Sequence, residues 1–261
     1  VVGTYRPFTK QVLYYDPFYN ENRYLMPRIF PTGTEENLVI GVSAPGSNTG
    51  FSVLMMNSVA ELTVAAMKGG TQCFPLRIYD HASSSNQSSL FHGGPVKWRD
   101  GITDDALSLF EASYPGEKIA KEDIFFYIYG LLHAEDYRAA FGDNLVKELP
   151  RIPCISGSEK FWEFVDAGRR LSSLHVGYEE VVPYPLNFER GGTSLIPPHD
   201  PESFYRVEQM RFAGKRPNLD KTTVIYNSNI TMTGIPLAAY DYVVNGKPAL
   251  EWVMERQVVK T

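Results

Sequence analysis

Residues 123–153, DIFFYIYGLLHAEDYRAAFGDNLVKELPRIP, decide the fold. From Ile124 to Leu132 the side chains of Ile124, Phe125, Phe126, Ile128, Leu131 and Leu132 occupy nearly the whole circumference of a helical repeat, the pattern of a helix buried on most sides. On the next segment Tyr137, Phe141 and Leu145 recur at i, i+4 and i+8, so a second helix presents one apolar stripe. Gly142 permits a break, and Pro150 and Pro153 keep Arg151 and Ile152 out of any helix. The stretch predicts a helical hairpin closed by a proline-framed arginine, with Arg151 as a structural pin.

Outward from this hairpin the helical region extends over residues 103–182. Thr103 suits a helix N-cap, and Asp104 and Asp105 suit the positive end that follows. A later helix, with Ser158 as cap, keeps positions 161, 164, 165, 168, 171, 174, 175 and 178 on one face, and Gly168 permits close approach. Upstream, Val12–Tyr15, Leu38–Val42, Phe51–Met56 and Cys73–Tyr79 are short apolar runs that read as strands. Ser43–Thr49 is turn-rich, and residues 81–97, with SSSNQSS and paired glycines, have little to bury and read as an exposed loop. Downstream, Lys221–Thr233 alternates as one strand, with Val224, Tyr226, Ile230 and Met232 on one side. Asn245-Gly246 makes a tight turn, and Pro248 opens a last helix that buries Leu250, Val253 and Met254. The expected architecture is a single α+β domain over residues 1–261. Its mixed, β-rich outer segments are 1–100 and 183–261, the latter ending in a helix, and an acidic helical layer, 101–182, lies between them. A division near residue 100 or 183 is compatible with the same pattern.

The 261 residues suffice for a sizeable core. No apolar run approaches the roughly 18 residues that span a bilayer, and no basic-then-apolar leader opens the chain, so a soluble, cytoplasmic protein is expected. Cys73 and Cys154 lie far apart without a Cys-x-x-Cys partner, which indicates neither a disulfide framework nor a zinc site. Valine at position 1 and a motif under way by Tyr5 point to a fragment of a longer protein. The net charge of −5 counts against nucleic-acid binding, which relies on phosphate neutralisation. The charge is uneven, however. Residues 1–99 carry eight basic and six acidic side chains, residues 100–190 nine and seventeen, and residues 191–261 eight and seven. The acidity is confined to the middle, and local field matters more than the total.

Four blocks of wording carry a family resemblance. They are Tyr5-Arg6-Pro7-Phe8-Thr9-Lys10-Gln11 with Tyr14-Tyr15-Asp16; Tyr129-Gly130-Leu131-Leu132-His133 with Tyr137-Arg138 and Leu149-Pro150-Arg151-Ile152-Pro153; Phe161-Trp162 with Gly168-Arg169-Arg170-Leu171, His175, Tyr178 and Glu179; and Thr233-Gly234-Ile235-Pro236 with Tyr242-Val243-Val244-Asn245-Gly246-Lys247 and Leu250-Glu251-Trp252. In this order they resemble the target-recognition domains of bacterial single-chain restriction–modification enzymes, most closely type ISP, in which nuclease, helicase-like motor, methyltransferase and recognition domain share one polypeptide. The resemblance implies a C-terminal specificity domain that recognises a short asymmetric site in double-stranded DNA. Its partners would be the DNA and the methyltransferase and helicase domains of the same chain. The methyltransferase would take S-adenosylmethionine and flip an adenine, and the motor would take ATP and Mg. None of these cofactors is expected on the fragment itself, which carries no G-x-x-x-x-G-K-[ST], no Asn-Pro-Pro-aromatic tetrapeptide and no nuclease signature, and is expected to be non-catalytic.

Base reading needs Arg or Lys for guanine, Asn or Gln for adenine and Asp or Glu for cytosine, presented on loops or strand edges. Three segments offer such groups: Ser47, Asn48 and Thr49; Asn86, Gln87, Lys97 and Arg99; and Arg206, Arg211, Lys215, Arg216, Lys221, Asn227 and Asn229. Arg6 and Lys10 suit phosphate contacts, and Arg6 before Pro-Phe equally suits anchoring a turn to a carboxylate. His133 and His175, on apolar helix faces, read as hydrogen-bonded core residues, and no histidine has metal-ligand spacing. The competing expectation is an interaction module that docks on the parent's other domains without reading bases. A hydrolase is a poorer alternative, for want of a nucleophile–base pair.

Overall fold

The computed structural model describes residues 1–20, 22–80, 97–190 and 200–258. The chain opens as a hairpin, β1 (Val2–Arg6) and β2 (Thr9–Val12), turned at Phe8 with φ 53°. The strand expected at Val12–Tyr15 therefore lies earlier, because the turn at Pro7-Phe8 fixes the pairing. A short helix, α1 (Met26–Ile29), precedes β3 (Val39–Ser43), β4 (Val53–Met56), β5 (Val59–Ala60) and β6 (Thr71–Pro75). β3 sits between β4 and β6, both antiparallel to it, while β5 joins β1 in parallel. β3 and β4 are buried at every position. Their alternation serves two cores: Ile40, Val42, Val53 and Met55 face the helices, and Val39, Leu54 and Met56 face a second cluster with Phe8, Phe30 and Val244. Burial on both faces explains why these strands read as continuous apolar runs.

After the paired β7 (Arg77–Tyr79) and β8 (Trp98–Asp100) come four helices: α2 (Asp104–Ser113), α3 (Lys121–His133), α4 (Glu135–Leu145) and α5 (Ser158–Val176). Thr103 caps α2 by accepting a hydrogen bond from the Ala106 N–H. The N-cap of α5 is Gly157 at φ 95°, not Ser158, which lies inside the helix; a left-handed backbone there favours glycine. Helices α3 and α5 cross at Gly130 and Gly168, where a Cβ on Gly168 would lie 1.9 Å from the Phe126 carbonyl oxygen. Backbones therefore touch. Arg169 tightens the crossing by bonding the buried Asp123 at 2.6 Å and covering the Phe126 ring at 4.8 Å.

The proline-framed segment is held through its backbone. The hydroxyls of Tyr137, Tyr127 and Tyr114 donate to the carbonyls of Arg151 (2.8 Å), Pro153 (2.6 Å) and Ile155 (2.9 Å). The prolines keep these carbonyls out of a helix, where they would be consumed, and each bond contributes about 1 kcal/mol net. The Arg151 guanidinium itself is exposed and, among the described residues, pairs with Glu148 alone, so the expected pin is the carbonyl, not the side chain.

The last region is a four-stranded sheet in the order β10 (Arg211–Lys215), β11 (Asn218–Ile225), β12 (Ile230–Thr233) and β9 (Asn187–Arg190), with a short helix, α6 (Pro201–Tyr205), before β10. What read as one strand over Lys221–Thr233 is the β11–β12 hairpin: the Asn227 side chain accepts from the N–H groups of Asn229 and Ile230 and turns the chain. Asn245 (φ 50°) and Gly246 (φ 72°) close the hairpin of β13 (Val243–Val244) and β14 (Lys247–Pro248). Pro248 occupies the N-cap position of the final helix, α7 (Ala249–Arg256), in which Trp252 and Met254 are buried while Leu250 and Val253 pack less deeply. The architecture is α+β, with the helical layer in the middle of the sequence. None of the described helices is long and apolar enough to cross a membrane.

Candidate nucleic-acid interface

Two hairpins carry exposed cations. In the first, β7–β8, buried Asn37 fixes the base: its amide donates to the carbonyls of Arg77 (2.8 Å) and Ile29 (3.1 Å), and its oxygen accepts from the Arg77 N–H (3.0 Å). Asp80 N–H donates to the Lys97 carbonyl at 2.9 Å and closes the other end. Lys97, Trp98 and Arg99 are exposed, and the Arg77 guanidinium lies 4.8 Å over the Trp98 ring. Arg99, with Arg28, also lines an apolar cavity of about 480 Å³ between α3 and the β3 sheet. Asn86 and Gln87 lie outside the described residues.

In the second hairpin, β10–β11, Arg211, Lys215 and Arg216 are exposed, and among the described residues none has an ion-pair partner. Lys221 differs: it bonds Glu251 at 3.2 Å and sits 4.9 Å over the Tyr240 ring. Arg206 is exposed, and its carbonyl accepts from the Asn227 amide. Asn227 also donates to the Phe204 carbonyl at 2.9 Å, as Asn229 does at 3.2 Å. The two asparagines tie the β11–β12 turn to α6, so their amides are engaged by backbone.

The other candidates are more deeply tied. Ser47 is buried and bonds Thr49, whose hydroxyl donates to Asn245 Oδ1 at 3.1 Å; Asn48 is exposed. Asn245 gathers this loop further, donating to the carbonyls of Thr63 and Val64 and accepting from the Met67 N–H. Arg6 bonds Glu61 at 2.6 Å, the carboxylate-anchored alternative, and Lys10 bonds Glu179 at 2.7 Å. Sequence reasoning did not single out Trp98 and Arg77, although a tryptophan between two cations on a short strand is a usable signal.

His133 and His175, each partly buried, are held by hydrogen bonds against the core. His133 Nδ1–H donates to the Tyr129 carbonyl at 2.9 Å; Tyr129 O–H accepts from the Met55 N–H and donates to His175 Nδ1 at 2.5 Å. Burial pushes His133 down to about 3 and His175 down to about 4, so both are neutral at physiological pH. Tyr242 stacks on His133 and Phe8 meets His175 edge-on, so the N-terminal hairpin, α3, α5 and the C-terminal segment converge here. Burial also raises the Cys73 thiol to about 12, which suppresses its nucleophilic form. Among the described residues no cluster of three His, Cys, Asp or Glu could hold a metal ion.

The family model of the type ISP C-terminal specificity domain matches residues 1–261. The chain belongs to this family. Three solved structures are similar over all of it: a DrdV–DNA complex determined by cryo-EM, at 33% identity and TM-score 0.82; the ATP-dependent type ISP restriction–modification enzyme LlaBIII bound to DNA, at 29% and 0.79; and a nuclease-deletion mutant of the type ISP enzyme LlaGI with a DNA substrate mimic, at 31% and 0.76. This specificity domain spans 24%, 16% and 20% of those chains respectively. The comparison with curated proteins gave no match.

Proposed function

We propose that this specificity domain reads a short sequence in double-stranded DNA and positions the other domains of a longer cytoplasmic polypeptide on it. The observation that carries the reading is the match of the specificity-domain family over residues 1–261, together with similarity to three proteins in complex with DNA or a DNA mimic. The parent would combine an adenine methyltransferase using S-adenosylmethionine with an ATP- and Mg-dependent motor and a nuclease, and the domain itself would contribute binding and no chemistry. The two cationic hairpins support a division of labour. Lys97 and Arg99, flanking an exposed tryptophan on a strand held at both ends, suit base reading. Arg211, Lys215 and Arg216, on a strand and hairpin tip without carboxylate partners among the described residues, suit phosphate contacts.

The test is methylation-site sequencing with the full polypeptide. Arg99→Ala or Lys97→Ala should relax the methylated sequence at one position, with discrimination there falling by about 1 to 3 kcal/mol. Lys215→Ala with Arg216→Ala should weaken all sites alike and flatten the salt dependence by roughly one unit of slope for each phosphate no longer neutralised. Binding by the unmodified protein that does not distinguish DNA sequences would overturn the reading.

A further inference from the structure

The N-terminal segment leaves a run of large apolar side chains exposed. Val12, Tyr14, Phe18, Tyr19, Tyr24 and Leu25 are each between 66% and 85% exposed within fourteen positions. This is no loose loop. The Phe18 N–H donates to Asp16 Oδ1, and the Asn20 amide donates to the carbonyls of Tyr14 and Asp16. Phe18 and Tyr14 each meet the Tyr19 ring edge-on, at 5.0 and 5.3 Å. Ordered aromatic rings held in water in such number mark a contact surface, since monomers rarely leave large contiguous apolar patches open.

We infer that this aromatic face docks on the polypeptide that precedes Val1 in the full type ISP chain. The inference rests on the reading of this chain as the C-terminal domain of such a polypeptide. The start of the chain is zipped to the patch: Val1 and Leu13 exchange backbone hydrogen bonds of 2.8 and 2.9 Å, and Leu13 lies between Val12 and Tyr14. Upstream chain therefore emerges beside the aromatic face. With the relatives' chains four to six times longer than the part matched, a tethered domain is at hand at high effective concentration, where a modest apolar surface suffices. Charge argues against DNA as the occupant, because residues 11–25 hold one cation, Arg23, and two acids, Asp16 and Glu21. Arg23 itself lies 5.4 Å over the Tyr15 ring. The fitting surface is apolar with acceptors for tyrosine hydroxyls, the chemistry of an interdomain interface.

The full-length polypeptide with p-benzoylphenylalanine in place of Phe18 tests this, with Val182, 88% exposed, as the control position. Irradiation, proteolysis and mass spectrometry should place the Phe18 cross-links on peptides upstream of Val1, in clear excess over those from position 182. Adding Tyr14→Asp and Tyr19→Asp should abolish them; both side chains are exposed, so folding is not at stake. Cross-links to DNA or to a second copy, yields no higher than the control, or no product would each overturn the inference. Methylation by the same preparation separates the two readings. Sequence-specific methylation without upstream cross-links sinks only the docking surface, whereas upstream cross-links without sequence-specific methylation sink the proposed function.

Discussion

Acidification should destabilise the domain through His133 and His175 before any carboxylate takes part. Both imidazoles are neutral in the fold, since burial lowers them from 6.5 to about 3 and about 4, and the adjacent Arg138 guanidinium adds to the effect on His133. The other groups facing them, Tyr129 and Tyr242, are hydroxyls raised by burial and stay neutral. Because the folded pKa values are depressed and the groups are bases, the unfolded chain takes up protons first as pH falls below 6.5. Stability is therefore full above that pH and declines until the folded values are reached. Between pH 7 and pH 5 each histidine should cost about 2 kcal/mol, and the pair about twice that. The carboxylates whose pKa the fold lowers, such as Glu179, Glu148 and Asp220, contribute only below their ordinary values of 4.5 and 3.8, outside this window. Urea titrations at the two pH values, in the unmodified chain and in His133→Leu, measure the effect as a difference in midpoint at constant slope. The variant should lose about half as much as the parent, whatever its stability at pH 7. If the unmodified chain loses less than about 1 kcal/mol, or both lose the same amount, the histidines are not buried as neutral bases.

Gly168→Ala should cost about 3 kcal/mol or more in thermal or urea unfolding, because the new methyl group collides with a helix backbone that cannot yield. Tyr137→Ala should cost about 3 to 5 kcal/mol, and the half-buried Trp162, which donates to Glu117 at 2.9 Å, about half of that on replacement by alanine. Asn227→Ala should lower stability by about 1 to 3 kcal/mol, by stranding the backbone groups it serves, and leave the methylated sequence unchanged; an altered sequence would return Asn227 to the base-reading set.

The helical layer was legible because its signal is local. An apolar circumference at Ile124–Leu132, a threonine before two acids and a glycine at a helix crossing each depend on neighbours within a few residues, and each is found where the pattern puts it. The β regions were less so. Alternation over Lys221–Thr233 could not reveal that Asn227 reverses the chain, since an asparagine side chain satisfying two backbone N–H groups looks, in sequence, like a polar strand position. The site shows the same limit. Arg6 and Arg216 are alike as letters; Glu61, 55 positions away, engages the first, and no described carboxylate engages the second. Which cation is available for DNA is a long-range property.

That distinction also answers the objection from net charge. The acidic excess belongs to residues 100–190, where several of the acids are paired: Asp104 on Lys121, Asp123 on Arg169, Glu148 on Arg151, Glu179 on Lys10. Among the described residues Arg99 on β8 and Arg211, Lys215 and Arg216 on the β10–β11 hairpin have no such partner, and they lie outside residues 100–190 or at their edge. A duplex at those hairpins would sense mainly the charges within about 10 Å, the range over which the field decays at moderate salt. An acidic total and a DNA-reading surface are therefore compatible on one chain, because pairing and screening make the local arrangement, not the sum, the quantity that a phosphate senses.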